Sequence, residues 1–163
     1  MHSVDRDDFI AAMRCVASSV CVVTTDGAAG RHGATVSAFC SVSADPPTVL
    51  VCLNMTSKIA ELVRENGVFK VSVLPDGAEH IAERFAGLHD STVADRFEGI
   101  ETSGDLHGIT GATILSCTLS QAVLEGTHLV CMGRVSDVTV GATVPLTYLA
   151  GRYHPLSRDG MTQ

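Results

Sequence analysis

The sequence predicts a mainly β protein, a β-barrel with short helices inserted between its strands. Three observations lead there. About six segments have the length and alternation of strands, no regular strand-helix-strand order links them, and two long alternating runs in the last third read as one hairpin. A doubly wound parallel sheet would need the order that is missing.

The elements follow in turn. DRDDFIAAMRCVASS, residues 5 to 19, sets Phe9, Ile10, Met13 and Val16 at helical spacing behind acidic residues that suit the positive end of a helix dipole, which predicts an N-terminal amphipathic helix. VCVVTT at 20 to 25 is a strand, and Asp26-Gly27 opens a turn. GATVSAFCSVS, 33 to 43, is read as one further strand, entered through Gly33 and ended by Pro46 and Pro47. TVLVCL, 48 to 53, is apolar on both faces, so it is expected at the centre of the sheet. TSKIAELVRENG, 56 to 67, has Thr56 or Ser57 as a cap, apolar Ile59, Leu62 and Val63, and Gly67 at its exit, the pattern of a short helix. VFKVSVL returns as a strand, and AEHIAERFAG forms a second short helix that stops at Gly87. Residues 88 to 110 are irregular, with one helical turn around TVADRFEG. In ATILSCTLSQAVLEGTHLVCMGRVSDVTV, Leu115, Cys117 and Leu119 alternate in one run and Leu129, Cys131 and Val135 in the next, joined at EGTH. LTYLAGRY adds one more extended piece after Pro145.

Composition narrows the function. With 163 residues, 45% of them hydrophobic, and a mean hydropathy of +0.27, the chain can bury one substantial core, so a single domain is expected. The net charge is -7, and 11 Lys and Arg are scattered among 18 Asp and Glu, which argues against nucleic acid as a partner. No charged n-region followed by an apolar h-region opens the chain, and no apolar run approaches the ~20 residues of a membrane span, so a cytoplasmic protein with no membrane partner is expected. The six cysteines lack CxxC spacing and mostly lie in apolar runs, which suggests a reducing compartment with neither zinc nor disulfides. The seven histidines form no pair at metal spacing. GAAGRHG has the wrong spacing for a dinucleotide loop, and P-loop, HExxH and GxSxG motifs are absent.

What remains is a row of hydroxyls. Thr35, Ser37, Ser41 and Ser43 alternate with Val36, Ala38, Cys40 and Val42, and a solvated strand face is the plain reading of such a pattern. Three features favour the wall of a pocket instead. Phe39 interrupts the polar face; Gly33 and the two prolines frame the segment; and NMTSK sets Asn54, Thr56, Ser57 and Lys58 at a helix N-terminus, where free N-H groups, hydroxyls and a cation suit a phosphate. A flat heteroaromatic ligand with an anionic tail has the matching form. With 4% aromatic residues and no Trp, its ring would rest mostly on backbone and aliphatic atoms.

The blocks FIAAMRCVASSVCVVTT, HGATVSAFCSVSADPPTVLVCLNMTSK, GVFKVSVL, RFAG, EGTHLVCMGRV and PLTYLAGRY, in this order from about Phe9 to Tyr153, resemble the flavin reductase family, reductase partners of two-component flavin-dependent monooxygenases. The resemblance implies a split β-barrel with a Greek-key core, one domain over 1–163 with its core at about 9–153, working as a homodimer with the flavin near the subunit interface. It implies that Gly33, Thr35, Ser37 and Ala38 hold the isoalloxazine and ribityl part, that Cys52, Leu53 and Asn54 line the next stretch, that Ser57 and Lys58 take the phosphate, and that Arg84 and Phe85 close over the tail. His128, Tyr148, Gly151 and Arg152 would meet the nicotinamide nucleotide. Two positions depart from the family pattern: Thr127 stands where the turn usually has Asp, and Ser72 where Asn is frequent.

The implied activity is reduction of FAD or FMN by NADH, with NADPH the weaker donor for lack of a cation cluster, and delivery of reduced flavin to a monooxygenase. Hydride would pass directly between cofactors, with no catalytic side chain and His128 at most an assistant, and no metal. A non-catalytic flavin- or haem-binding module on the same barrel is the alternative, and a dimeric interaction domain without ligand is a third.

Overall fold

A seven-stranded antiparallel sheet organises the computed structural model, which describes residues 4–141 and 144–156. In chain order the elements are α1 (Arg6–Met13), β1 (Ser18–Ser19), β2 (Cys21–Thr25), β3 (His32–Val36), β4 (Phe39–Ala44), β5 (Pro47–Asn54), α2 (Lys58–Asn66), β6 (Val68–Val73), α3 (Glu79–Phe85), β7 (Thr102–Ser103), β8 (Gly108–Ile109), β9 (Thr113–Glu125), β10 (His128–Thr139), β11 (Thr147–Leu149) and β12 (Arg152–His154). The large sheet runs β3-β2-β6-β9-β10-β5-β4. The ends of the expected 1–163 domain lie outside the described residues.

Ala34 and Val36 of β3 and Phe39 of β4 pack on the same core, although these strands are the two edges of the sheet. The sheet therefore curls until its edges approach, and the barrel is split where they fail to pair. Val23, Val51, Phe69, Val71, Leu129 and Cys131 fill its interior, and Ile59, Ala60 and Val63 of α2 close one end. A second core lies on the opposite face of the sheet, where Val22, Leu74, Ile114 and Leu146 meet Ala82 and Phe85 of α3 and Phe97 of the following loop.

Three expectations need correction. GATVSAFCSVS is two strands, not one: β3 and β4 lie at opposite edges of the sheet and are joined by Ser37 and Ala38. TVLVCL is not central; β5 lies second from one edge with only alternate residues buried, because Leu50 and Cys52 face outward while Val49, Val51 and Leu53 face the core. The strand buried on both faces is β2, which separates the two cores. Finally, LTYLAGRY folds back as the β11–β12 hairpin and pairs with β1, its turn made by Ala150 and Gly151 at φ 52 and 81.

The long hairpin forms as expected, with Glu125 opposite His128 and Gly126 at φ 55 in the turn. α2 has Ser57 as its cap and left-handed Gly67 as its stop. α1 also forms, capped by Asp5, yet none of its residues is buried: Phe9 is 58% and Met13 49% exposed. Its apolar side faces a hollow of about 930 Å³ shared with β4 and the β11–β12 turn.

Candidate binding groove at the barrel split

A groove of about 290 Å³ opens where β3 and β4 part. Thr35, Ser37 and Ala38 form one side; Cys52, Leu53 and Asn54 at the end of β5 form another; Ser57 and His128 close it. Eight of the residues singled out in the sequence thus meet in one place. The ladder explains the meeting of β5 and β10, because His128 stands directly opposite Asn54.

Backbone donors converge there. Ser37 and Ala38 lie outside both strands, and among the described residues their amides donate to no backbone carbonyl, whereas the Ala38 carbonyl accepts from the Cys52 amide at 3.0 Å. At the start of α2 the Ser57 hydroxyl donates to the Asn54 carbonyl at 2.5 Å, and the Ser57 carbonyl accepts from the Ala60 and Glu61 amides. The Lys58 and Ile59 amides are left as free donors at the positive end of the helix. The Asn54 side-chain oxygen accepts from the Thr56 amide and hydroxyl, which fixes the approach to the helix.

Both departures from the family pattern have a structural account. The Thr127 hydroxyl lies 3.0 Å from His128 Nδ1, so it steadies the ring from the adjacent position. Ser72 is fully buried and its hydroxyl accepts from the Ile109 amide at 3.0 Å, tying β8 to the barrel.

Other expected site residues fall elsewhere. Gly33 is buried against Phe85 and Phe97, and its carbonyl accepts from Arg96 Nη1 at 3.1 Å. Phe85 is fully buried in the second core, edge-on to Phe97 at 5.0 Å, so its ring does not close over a ligand. Arg84 donates to the Glu98 carbonyl at 3.0 Å and lines neither the groove nor the hollow. The Lys58 ammonium turns to Glu61 Oε2 at 3.3 Å, and only the helix start it belongs to borders the groove. Thr35 lines the groove, but its hydroxyl is committed to the Ala82 carbonyl at 2.7 Å. The four nicotinamide residues are divided: His128 is in the groove, Tyr148 and Gly151 line the wider hollow, and exposed Arg152 lines neither. Ser37 and Ala38 line both spaces, which makes them neighbours.

Ala34, Val36 and Ile59 also line the groove and were not foreseen. The alternation of β3 assigns Ala34 and Val36 to the core, and only the split exposes them. His32, the first residue of β3, lines neither space; burial, then the Arg96 charge, holds its imidazole below its ordinary value. Burial pushes Cys21 and Cys117 up to about 12 and Cys131 up to about 11, leaving these thiols protonated core residues. Burial, then nearby Cys40, also raises Cys52 in the groove wall.

The fold and groove define a split barrel with unpaired backbone donors set beside a helix start. The chain belongs to the flavin reductase like domain family, whose model matches residues 13–157. It is 37% identical, over 96% of its own length and 90% of the relative's, to FMN reductase (NADH) RutF of Pseudomonas syringae pv. syringae (strain B728a). Among solved structures, NADH:FAD oxidoreductase SgcE6 of Streptomyces globisporus C-1027 superposes with a TM-score of 0.84 at 29% identity, covering 98% of this chain and 99% of that one. The styrene monooxygenase flavin reductase SMOB from Pseudomonas putida S12 superposes at 0.78 with 27% identity, covering 92% and 97%.

Proposed function

We propose that the chain is an NADH-dependent flavin reductase that supplies reduced flavin to a separate monooxygenase. The observation that carries this reading is the set of unpaired amides at Ser37 and Ala38, set beside a capped helix start in one groove. The donor set fits the group: the ring edge of a flavin presents acceptors to the first pair, and its phosphate suits the free Lys58 and Ile59 amides at the helix start. When bound, the flavin supplies hydride acceptance from a reduced nicotinamide. The protein's part is orientation and polarity. Ser37 and Ala38 amides aimed at the ring edge stabilise negative charge there, and Leu53 and Ile59 give the ring aliphatic support. The hollow beyond Ser37 and Ala38, with Tyr148 and Gly151, is open to the nicotinamide nucleotide, and His128 steadies the flavin from the opposite wall.

Absence of aromatic stacking among the groove residues suits a flavin that departs after reduction. The oxygenase partner is inferred by analogy with the styrene monooxygenase reductase. Three free cysteines held protonated in the interior accord with a cytoplasmic setting. The exposed apolar side of α1 favours a homodimer, so light scattering should return twice the 17.0 kDa chain mass.

Anaerobic mixing with NADH and free FAD or FMN tests the function. Bleaching of the flavin band is expected, faster with NADH than with NADPH. Bound flavin that neither donor bleaches would make the chain a non-catalytic flavin module instead.

A further inference from the structure

Across Ser57 from the groove lies a second hollow, of about 660 Å³, between the outer face of α2 and the far part of the β9–β10 hairpin. Ser57 lines both spaces, so they are neighbours at the helix cap. Its floor is apolar, made by buried Ala60 and Leu129. Met55 and Leu124, 47% and 55% exposed, form its sides, and Glu61, Arg64 and Glu65 stand at its rim.

We propose that this hollow is an adenylate subsite that takes the AMP half of FAD, so that the dinucleotide flavin binds in preference to FMN. The inference rests on the flavin reading above. Volume decides first: sites for drug-sized ligands run from roughly 300 to 1,000 Å³. The groove at the split, about 290 Å³, matches a ring and its side chain in size, and the hollow beyond the phosphate end, about 660 Å³, matches a second nucleotide.

Chemistry agrees with the size. An apolar floor between Met55 and Leu124 takes the two faces of a purine without aromatic help, and the planar guanidinium of Arg64 can stack on its edge region or meet a phosphate. The Glu61 and Glu65 carboxylates accept from ribose hydroxyls or an exocyclic amine, as acidic residues do for the ribose in other dinucleotide sites. The same carboxylates oppose a further phosphate on that ribose.

Equilibrium titration of the whole protein with FMN and with FAD tests the subsite. FAD is expected to bind at least about tenfold more tightly. Ala122→Glu, at an exposed wall position of β9, should weaken FAD about tenfold while FMN stays within about twofold. Leu124→Glu serves as the second variant, and free AMP added to the unaltered protein should compete with FAD but not with FMN. Equal affinity for the two flavins, or equal loss of both in the variants, overturns the subsite. So does AMP that competes with NADH and leaves FAD untouched. Failure of either flavin to bind at all would instead overturn the flavin reading itself.

Discussion

Replacing Gly33 by Ala separates a packing role from a ligand role. Its φ is outside the left-handed region, so a methyl group brings no backbone strain. The methyl would instead meet Phe85 Cε1 at 2.6 Å, Phe85 Cδ1 at 2.7 Å and Phe97 Cζ at 3.2 Å. Phe85 is fully buried and locked edge-on against Phe97, so it has little space to retreat. Overpacking of this kind costs about 1–3 kcal/mol, and the stiffer unfolded chain returns about 0.4–1 kcal/mol. A net loss of about 1–2 kcal/mol lowers Tm by about 2–8 °C in a chain of this size. Differential scanning fluorimetry measures the shift, and a double-mutant cycle with Phe85→Leu assigns it: with the ring trimmed, the same Gly33→Ala change should cost at least about 0.5 kcal/mol less. An unmoved Tm joined to a weakened flavin affinity would refute the reasoning, because Gly33 would then face the ligand and not the second core.

Two further outcomes concern Lys58 and His32. Lys58→Ala should leave kcat and the flavin KM within about twofold, since the ammonium pairs with Glu61 outside the groove and the backbone amide that faces the phosphate is retained; a severalfold rise in KM would place the ammonium at the phosphate. Its exposed pairing with Glu61 is worth at most about 1 kcal/mol, so Tm should barely move. The folded-state pKa of His32 lies below the unfolded value of 6.5, so the unfolded chain takes up the proton first and stability falls as pH drops below 6.5 through the folded pKa. His32→Gln should flatten that slope between about pH 7 and 5 in urea midpoints, and identical slopes in both proteins would count against the assignment.

Local signals carried much of the fold. The Leu115, Cys117, Leu119 alternation and the Gly126 turn specify the long hairpin without help from distant residues, and Ser57 and Gly67 mark both ends of α2. What escaped was decided by closure of the sheet. Nothing at Ser37 and Ala38 announces a break, because neither glycine nor proline stands there; the chain parts because β3 and β4 belong to opposite edges. Apolarity on both faces of TVLVCL had the same limit. It records that Leu50 and Cys52 meet something apolar, but they border a hollow and a groove, not a second layer of the same barrel. The direction of Phe85 was likewise invisible, since the side on which a short helix docks is set by its tertiary partners.

The break that local reading missed is also what makes the site. A continuous strand through residues 33 to 43 would have spent its amides alternately on neighbouring ladders. Splitting it between two edges leaves the Ser37 and Ala38 amides unpaired at the point where the barrel cannot close, and brings them beside the cap of α2. Unpaired amides beside a half-buried groove are costly unless water or a ligand satisfies them, by about 1–3 kcal/mol each when fully desolvated. Open access to solvent keeps that cost low in the free protein, and a planar ligand that expels the water must replace its hydrogen bonds to bind at all. Affinity then depends on how well the ligand's edge matches two fixed donors, while the alternating hydroxyls serve the scaffold: Thr35 holds α3 through Ala82, and Ser43 braces the turn through Asp45.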